Sequence, residues 1–141
     1  MQTKIDVYGW KGQGDLSIEA VEESYIVKEH RKCKESGDVE TVEHVIPKKN
    51  VEFLWDLLKT VCEPNKKYSY KYVVSRFVDF TNIHEQEGLT KEQMVESFNG
   101  GRNRARWYFP HYYYPIKILE NLGKIKYFGR GGVLIVFWNS P

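Results

Sequence analysis

Along the first half of the chain, two stretches rich in β-branched residues, Ser24 to Cys33 and Val39 to Ile46, stand out as strand-like. Glu35, Ser36, Gly37 and Asp38 lie between them, which predicts a β-hairpin. Pro47 ends the second strand because it has no N–H for a ladder. Before the hairpin, Gly9, Gly12 and Gly14 surround Trp10 without a clean period, and residues 1 to 15 read as a loop with one short strand at most. After Pro47 the period changes. Val51, Leu54, Leu58 and Val61 recur at helical spacing behind an Asn50 cap, and Glu63, Pro64 and Asn65 stop the helix. A second helix runs from a Ser69 cap through Tyr70, Val73, Phe77 and Phe80, with Val74 and Val78 widening its apolar stripe.

The sharpest local signal follows. Thr90 and Gln93 have the spacing of a capping box, with Leu89 and Met94 placed as a hydrophobic staple, so a short helix begins at Lys91 and leaves at Gly100 and Gly101. From Arg102 to Gly123 the signals conflict. Pro110 suits a first helical turn, whereas Pro115 five residues on removes a backbone hydrogen bond unless the helix starts there. On a helical wheel Tyr112, Ile116, Leu119 and Leu122 share one face, and Tyr113, Tyr114, Lys117 and Asn121 the other. Gly123 closes this helix. Strands Lys124 to Phe128 and Val133 to Trp138 then flank the turn from Gly129 to Gly132, the second strand nearly all apolar.

Composition changes this picture in one respect. The 141 residues carry a net charge of only +2, but unevenly: residues 1 to 60 hold nine Lys/Arg against twelve Asp/Glu, and residues 61 to 141 twelve against seven. Between Phe98 and Gly132 stand Arg102, Arg104, Arg106, Lys117, Lys124, Lys126 and Arg130, against Glu120 alone. Such a run implies either an acidic partner or a solvated basic surface. With 41% apolar and 15% aromatic residues, the chain is able to bury an ordinary core. No window reaches the roughly 18 apolar residues of a membrane span, and Met1 to Asp6 lack the apolar run of a signal peptide. Cys33 and Cys62 stand far apart in different elements. A cytoplasmic, reduced setting is the expectation.

The run Leu119 to Ile125, followed by Gly129, Arg130 and Gly131, resembles the end of a recognition helix and the wing of the winged helix-turn-helix superfamily. The helix at Thr90 is similar to that family's second helix and Ser69 to Ile83 to its first, so the resemblance covers about half the chain. It implies duplex DNA as partner. Independently of any family, a helix in the major groove must present side chains to base edges while neighbouring cations neutralise phosphates. Tyr113, Tyr114, Lys117 and Asn121 have that chemistry. Arg102, Asn103, Arg104 and Arg106 are placed to hold the backbone, Lys124 and Lys126 lie on the strand after the helix, and Arg130 resembles a wing-tip arginine. Two further readings stand beside this one: the aromatic cluster Trp107 to Tyr114 packs as core, and the arginines pair with acids of the N-terminal half. The stretch from Phe98 to Pro110 is longer than a tight turn, so either the arginine segment does the reading or the motif serves another partner.

Catalytic patterns are weak. His30 and Cys33 are an odd number apart on a strand, so they point to opposite faces and make no metal site with His44. Glu22, Glu23, Lys28 and Glu29 have the residue types of a magnesium nuclease without a recognisable spacing. No cofactor motif is present. The expectation is therefore an α+β chain: an N-terminal β-hairpin arm and helix over 1–63, then a winged-helix-like domain of three helices and a β-hairpin wing over 64–141. Its expected role is non-catalytic DNA binding as a transcription regulator, with a protein-interaction module on the same scaffold as the alternative. The N-terminal strands, with exposed edges, offer a means of homodimerisation.

Overall fold

Strand β1 (Gln2–Val7) opens the N-terminal sheet, and β2 (Gly14–Ala20), β3 (Ser24–Lys32) and β4 (Val39–Pro47) follow it as an antiparallel meander in the order β1-β2-β3-β4. The computed structural model describes residues 2–7, 14–32, 37, 39–99, 106–127 and 134–136. Strand β1 takes the place of the one short strand allowed within residues 1 to 15, and β2 begins at Gly14, at the end of the stretch read as a loop. The alternation of Leu16, Ser17, Ile18 and Glu19 is the signal for β2: Leu16 and Ile18 are buried at 0% and 2% exposure, while Glu19 faces solvent. Cross-strand register puts Leu16 opposite Glu29, Ile18 opposite Val27, Val27 opposite His44 and Tyr25 opposite Ile46. These residues share the face that packs on the helices.

Helix α1 (Lys48–Val61) begins directly after Pro47 rather than at Asn50. The strand passes into the helix without a loop, because the Lys48 N–H still donates to Glu23 O at 3.0 Å as the last rung of the β3–β4 ladder. Asn50 is therefore inside the first turn. Its Nδ2–H donates instead to Pro110 O at 3.2 Å, sixty residues away. The buried stripe of α1 is Val51, Leu54, Leu57 and Leu58, and Cys62 just beyond it is buried as well.

Strand β5 (Lys67–Tyr68) leads to α2 (Tyr70–Thr81), whose Ser69 cap accepts from the Tyr72 N–H at 3.1 Å as the sequence predicts. Two tyrosines fasten this junction to α1: the Glu63 N–H donates to the Tyr68 hydroxyl at 2.7 Å, and Tyr72 donates to Val61 O at 2.8 Å. Val73, Val74, Phe77 and Val78 form the buried face of α2. Phe80 does not join it and is 54% exposed; the position four residues from Phe77 and three from Val78 is Thr81, where α2 ends. After the single turn α3 (Ile83–Gln86), the capping box forms in full: Thr90 N–H donates to Gln93 Oε1 at 2.9 Å and Gln93 N–H to Thr90 Oγ1 at 3.1 Å. Helix α4 (Lys91–Asn99) follows, with Met94 and Phe98 in the core.

The conflict between Pro110 and Pro115 is resolved by a wider turn. Residues Phe109–Tyr113 form a π-helical turn, closed by the Tyr114 N–H donating to Phe109 O, and α5 (Tyr114–Asn121) continues with Pro115 in its first turn. Gly123 ends α5 at φ +75°, with Lys124 N–H bonded to Leu119 O and Gly123 N–H to Glu120 O, the pair of bonds that define a Schellman motif. Strands β6 (Ile125–Tyr127) and β7 (Leu134–Val136) pair antiparallel, and β5 adds to β7, giving a second sheet of order β5-β7-β6. The chain is a mixed α+β protein. One hydrophobic cluster runs from Leu16, Ile18, Val27 and Ile46 of the first sheet through α1, α2 and α4 to Tyr112, Ile116, Leu119 and Ile125. Among the described residues no helix is long and apolar enough to cross a membrane.

Candidate nucleic-acid interface

Helix α5 carries the residues expected to meet base edges, and it is enclosed. Tyr114, Pro115, Ile116, Lys117, Ile118 and Leu119 are consecutive and all buried, Tyr114 at 3% and Lys117 at 5% exposure. A helix with a free side cannot bury six residues in a row. Both sides are occupied here: α5 packs against α1 on one flank and touches β1 of the first sheet on another. Tyr114 and Lys117 are thus inside rather than on an outer reading face, and Tyr113 and Asn121 are half-buried.

The chemistry explains how polar side chains are accommodated there. The Tyr114 hydroxyl lies 3.0 Å from both Glu29 Oε2 and His44 Nε2, and the His44 and Tyr114 rings are 4.6 Å apart. Glu29 is 8% exposed and lies 3.7 Å from His44, so a carboxylate, an imidazole and a phenol meet where the first sheet touches α5. In the sequence Glu29 stands with Glu22, Glu23 and Lys28 in a charged run that has no recognisable spacing. Its phase in β3 turns it inward, because it alternates with Lys28 and His30 and shares the inward face with Val27. On the outward face Ser17, His30 and Thr41 form a second polar row, with His30 Nε2 3.3 Å from Ser17 Oγ and Nδ1 3.1 Å from Thr41 Oγ1. Lys117 Nζ is 3.8 Å from Glu120 and 5.8 Å from the Tyr113 ring centre, and burial pushes its pKa down. Burial likewise pushes the Cys62 thiol up to about 11.

The aromatic cluster packs. Tyr108 stacks on Tyr113 with ring centres 5.7 Å apart, while Tyr112 meets Phe77, Phe98 and Tyr70 edge-on. Arg102, Asn103, Arg104 and Arg130 lie outside the described residues. Arg106 is exposed and engaged: its Nε and Nη2 each reach Glu87 Oε1 at 2.8 Å, and its guanidinium lies 5.4 Å from the centre of the Trp107 ring. Trp107 Nε1–H donates to the same oxygen at 2.8 Å. The acid that pairs with Arg106 thus comes from the α3–α4 connection and not from the N-terminal half.

A different basic surface appears around the second sheet. Lys67 of β5 and Lys126 of β6 both stand opposite Ile135 of β7, so the three residues form one row across the sheet and the two exposed lysines point to the same side. Two residues before Lys126, Lys124 Nζ lies 5.2 Å from the centre of the Trp55 ring, and Lys59 Nζ is 5.5 Å from the same ring. Lys59 also pairs with Asp56 at 3.4 Å, and Lys66 with Glu63. Lys124 and Lys126 were legible as candidates. Lys59, Lys67 and Trp55 were not, since a two-residue strand has no period and Trp55, four residues after Val51 and three before Leu58, falls on the apolar stripe of α1. No protein-family model, no curated protein and no solved structure matches this chain.

Proposed function

We propose that the chain is a non-catalytic protein of winged-helix type that binds duplex DNA as a transcription regulator, using the outer face of the β5-β7-β6 sheet and its hairpin. One observation carries the reading: Lys67 and Lys126, fifty-nine positions apart, are brought into one row across the sheet, beside Lys124 and Lys59 on Trp55. The order of elements supports it as well, because a short strand precedes α2 and α4, and α5 runs into a hairpin whose second strand takes the middle of the sheet. Cations gathered from separate segments onto one face suit a regular array of phosphates. With α5 enclosed, base reading falls to the hairpin and to the arginine-bearing segment before Trp107.

Fluorescence anisotropy with a labelled duplex of mixed sequence tests this. Four phosphate contacts weaken binding by roughly a hundredfold between 50 and 200 mM salt, at about 0.9 logarithmic units of affinity per contact and unit of log salt. Lys67→Glu with Lys126→Glu lowers both the affinity and the salt slope, the slope by about two. A slope unchanged by that pair removes this face from the interface. Duplex binding that is absent, or flat with salt, favours the second reading, a protein-interaction module on the same scaffold. That reading draws on the enclosure of α5 and on Phe53 and Phe80, which remain 44% and 54% exposed.

A further inference from the structure

We infer that two copies of this chain pair through strand β4, edge to edge and antiparallel, to make a continuous eight-stranded sheet. β4 is nine residues long, about 30 Å of strand, and it is the last strand of the meander. Its hydrogen-bonding phase is fixed by the Lys48 N–H bond to Glu23 O. Alternation from that rung gives the bonds with β3 to Ile46, His44 and Val42, and turns the N–H and C=O groups of Thr41, Glu43 and Val45 outward. Among the described residues nothing bonds to that outward edge. Thr41, Glu43 and Val45 are exposed, Val45 at 62%, and no proline interrupts the edge before Pro47. An open edge of this length is a template for another strand.

The sequence of the edge identifies a second copy as the occupant. Placing a two-fold axis at Val42 sets Thr41 opposite Glu43, Glu40 opposite His44, Val39 opposite Val45 and Val42 opposite itself. Each cross-strand pair is then polar with polar, acid with imidazole, or valine with valine, and no like charges face each other. The register also satisfies the hydrogen-bond phase, since Thr41 and Glu43 both carry outward groups. Moving the axis to Glu43 would bring two carboxylates together, and moving it further would set Pro47 opposite Thr41 and lose a donor. Lys28, which faces Glu43 across β3 and β4, offsets the remaining carboxylate charge near the axis. The opposite edge, β1, differs because it touches α5. This is the self-complementary patch that an isologous interface requires.

Sedimentation equilibrium of the full chain over a hundredfold range of concentration provides the first measurement, with twice the 16.7 kDa chain mass expected at the upper end. Glu43→Pro removes an outward N–H without touching the β3 ladder, and the expected product is a folded monomer by circular dichroism and mass. Thr41→Glu sets a second carboxylate opposite Glu43 of the other copy on both sides of the axis. It raises the dissociation constant at least tenfold and decides the matter should the proline variant not fold. In a Cys33→Ser background, Val42→Cys places two thiols on the axis, at the close Cα separation of a non-hydrogen-bonded pair, about 4.5 Å, within disulfide reach. Mild oxidation should link it into dimers. A wild type that stays monomeric at every concentration overturns the inference, as does a folded Glu43→Pro or Thr41→Glu variant that dimerises like wild type. So does a failure of Val42→Cys to cross-link.

Discussion

Single residues hold the first sheet to the rest of the molecule. The Tyr114 hydroxyl serves both Glu29 and His44 at 3.0 Å, inside the structure, where an unmatched polar group is costly. Tyr114→Phe keeps the ring and its packing on His44 but removes the hydroxyl, with an expected loss of about 1–2 kcal/mol in urea unfolding. A loss near zero would mean that the contact contributes nothing net. Glu87 makes the other residue-level case. The indole N–H of Trp107, with Arg106 beside it, holds its carboxyl below the ordinary value of 4.5. A depressed carboxylate pKa stabilises the fold above pH 4.5, and the contribution is lost as pH falls through the lowered value. Glu87→Gln is therefore expected to melt below wild type at pH 7, and the two melting temperatures to converge as the solution is acidified below that range. A gap that persists unchanged into strong acid contradicts the assignment. Neither residue was legible as a partner, because Glu29 and Tyr114 lie 85 positions apart and Glu87 sits in a connection without a period.

Elements were read from the chain in proportion to how local their causes are. The Ser69 cap, the Thr90–Gln93 box and the Gly123 exit each involve residues within five positions of one another, and all three form as expected. Thr90→Ala removes the side-chain acceptor for Gln93 N–H, at an expected cost of about 1 kcal/mol, read as a lower unfolding midpoint with unchanged denaturant slope. Gln93→Glu, which keeps an acceptor for the Thr90 N–H, should lose less. Where the cause is distant, reading failed. Pro110 and Pro115 were visible as a conflict, but the π-helical turn that reconciles them is held in part by Asn50, the residue assigned instead as the cap of α1. Likewise the glycines around Trp10 hid the phase of β1 and the start of β2, which pairing fixes, β2 against β3 and β1 against β2.

At the scale of the whole molecule, the charge asymmetry was plain from the sequence, yet its location was not. Cations clustered along the chain between Phe98 and Gly132 diverge in the fold: Lys117 goes inward, Arg106 to Glu87, and Lys126 to the second sheet, where it joins Lys67 from another segment. What encloses α5 was equally out of reach, since it includes the strand nearest the N-terminus and the helix of residues 48–61. That enclosure also bears on the order of assembly. The meander closes through hairpins of neighbouring residues and is able to form early, whereas the bond from Tyr114 to Glu29 spans 85 positions and forms only once the sheet has met the segment around α5. We expect a contact that spans so much of the chain to form after the folding transition state, and a chevron plot of Tyr114→Phe checks this, since a slowed folding limb contradicts it. Its removal therefore leaves the folding rate nearly intact and appears almost wholly as faster unfolding, so the phenol at residue 114 governs how long the native molecule lasts more than how quickly it is made.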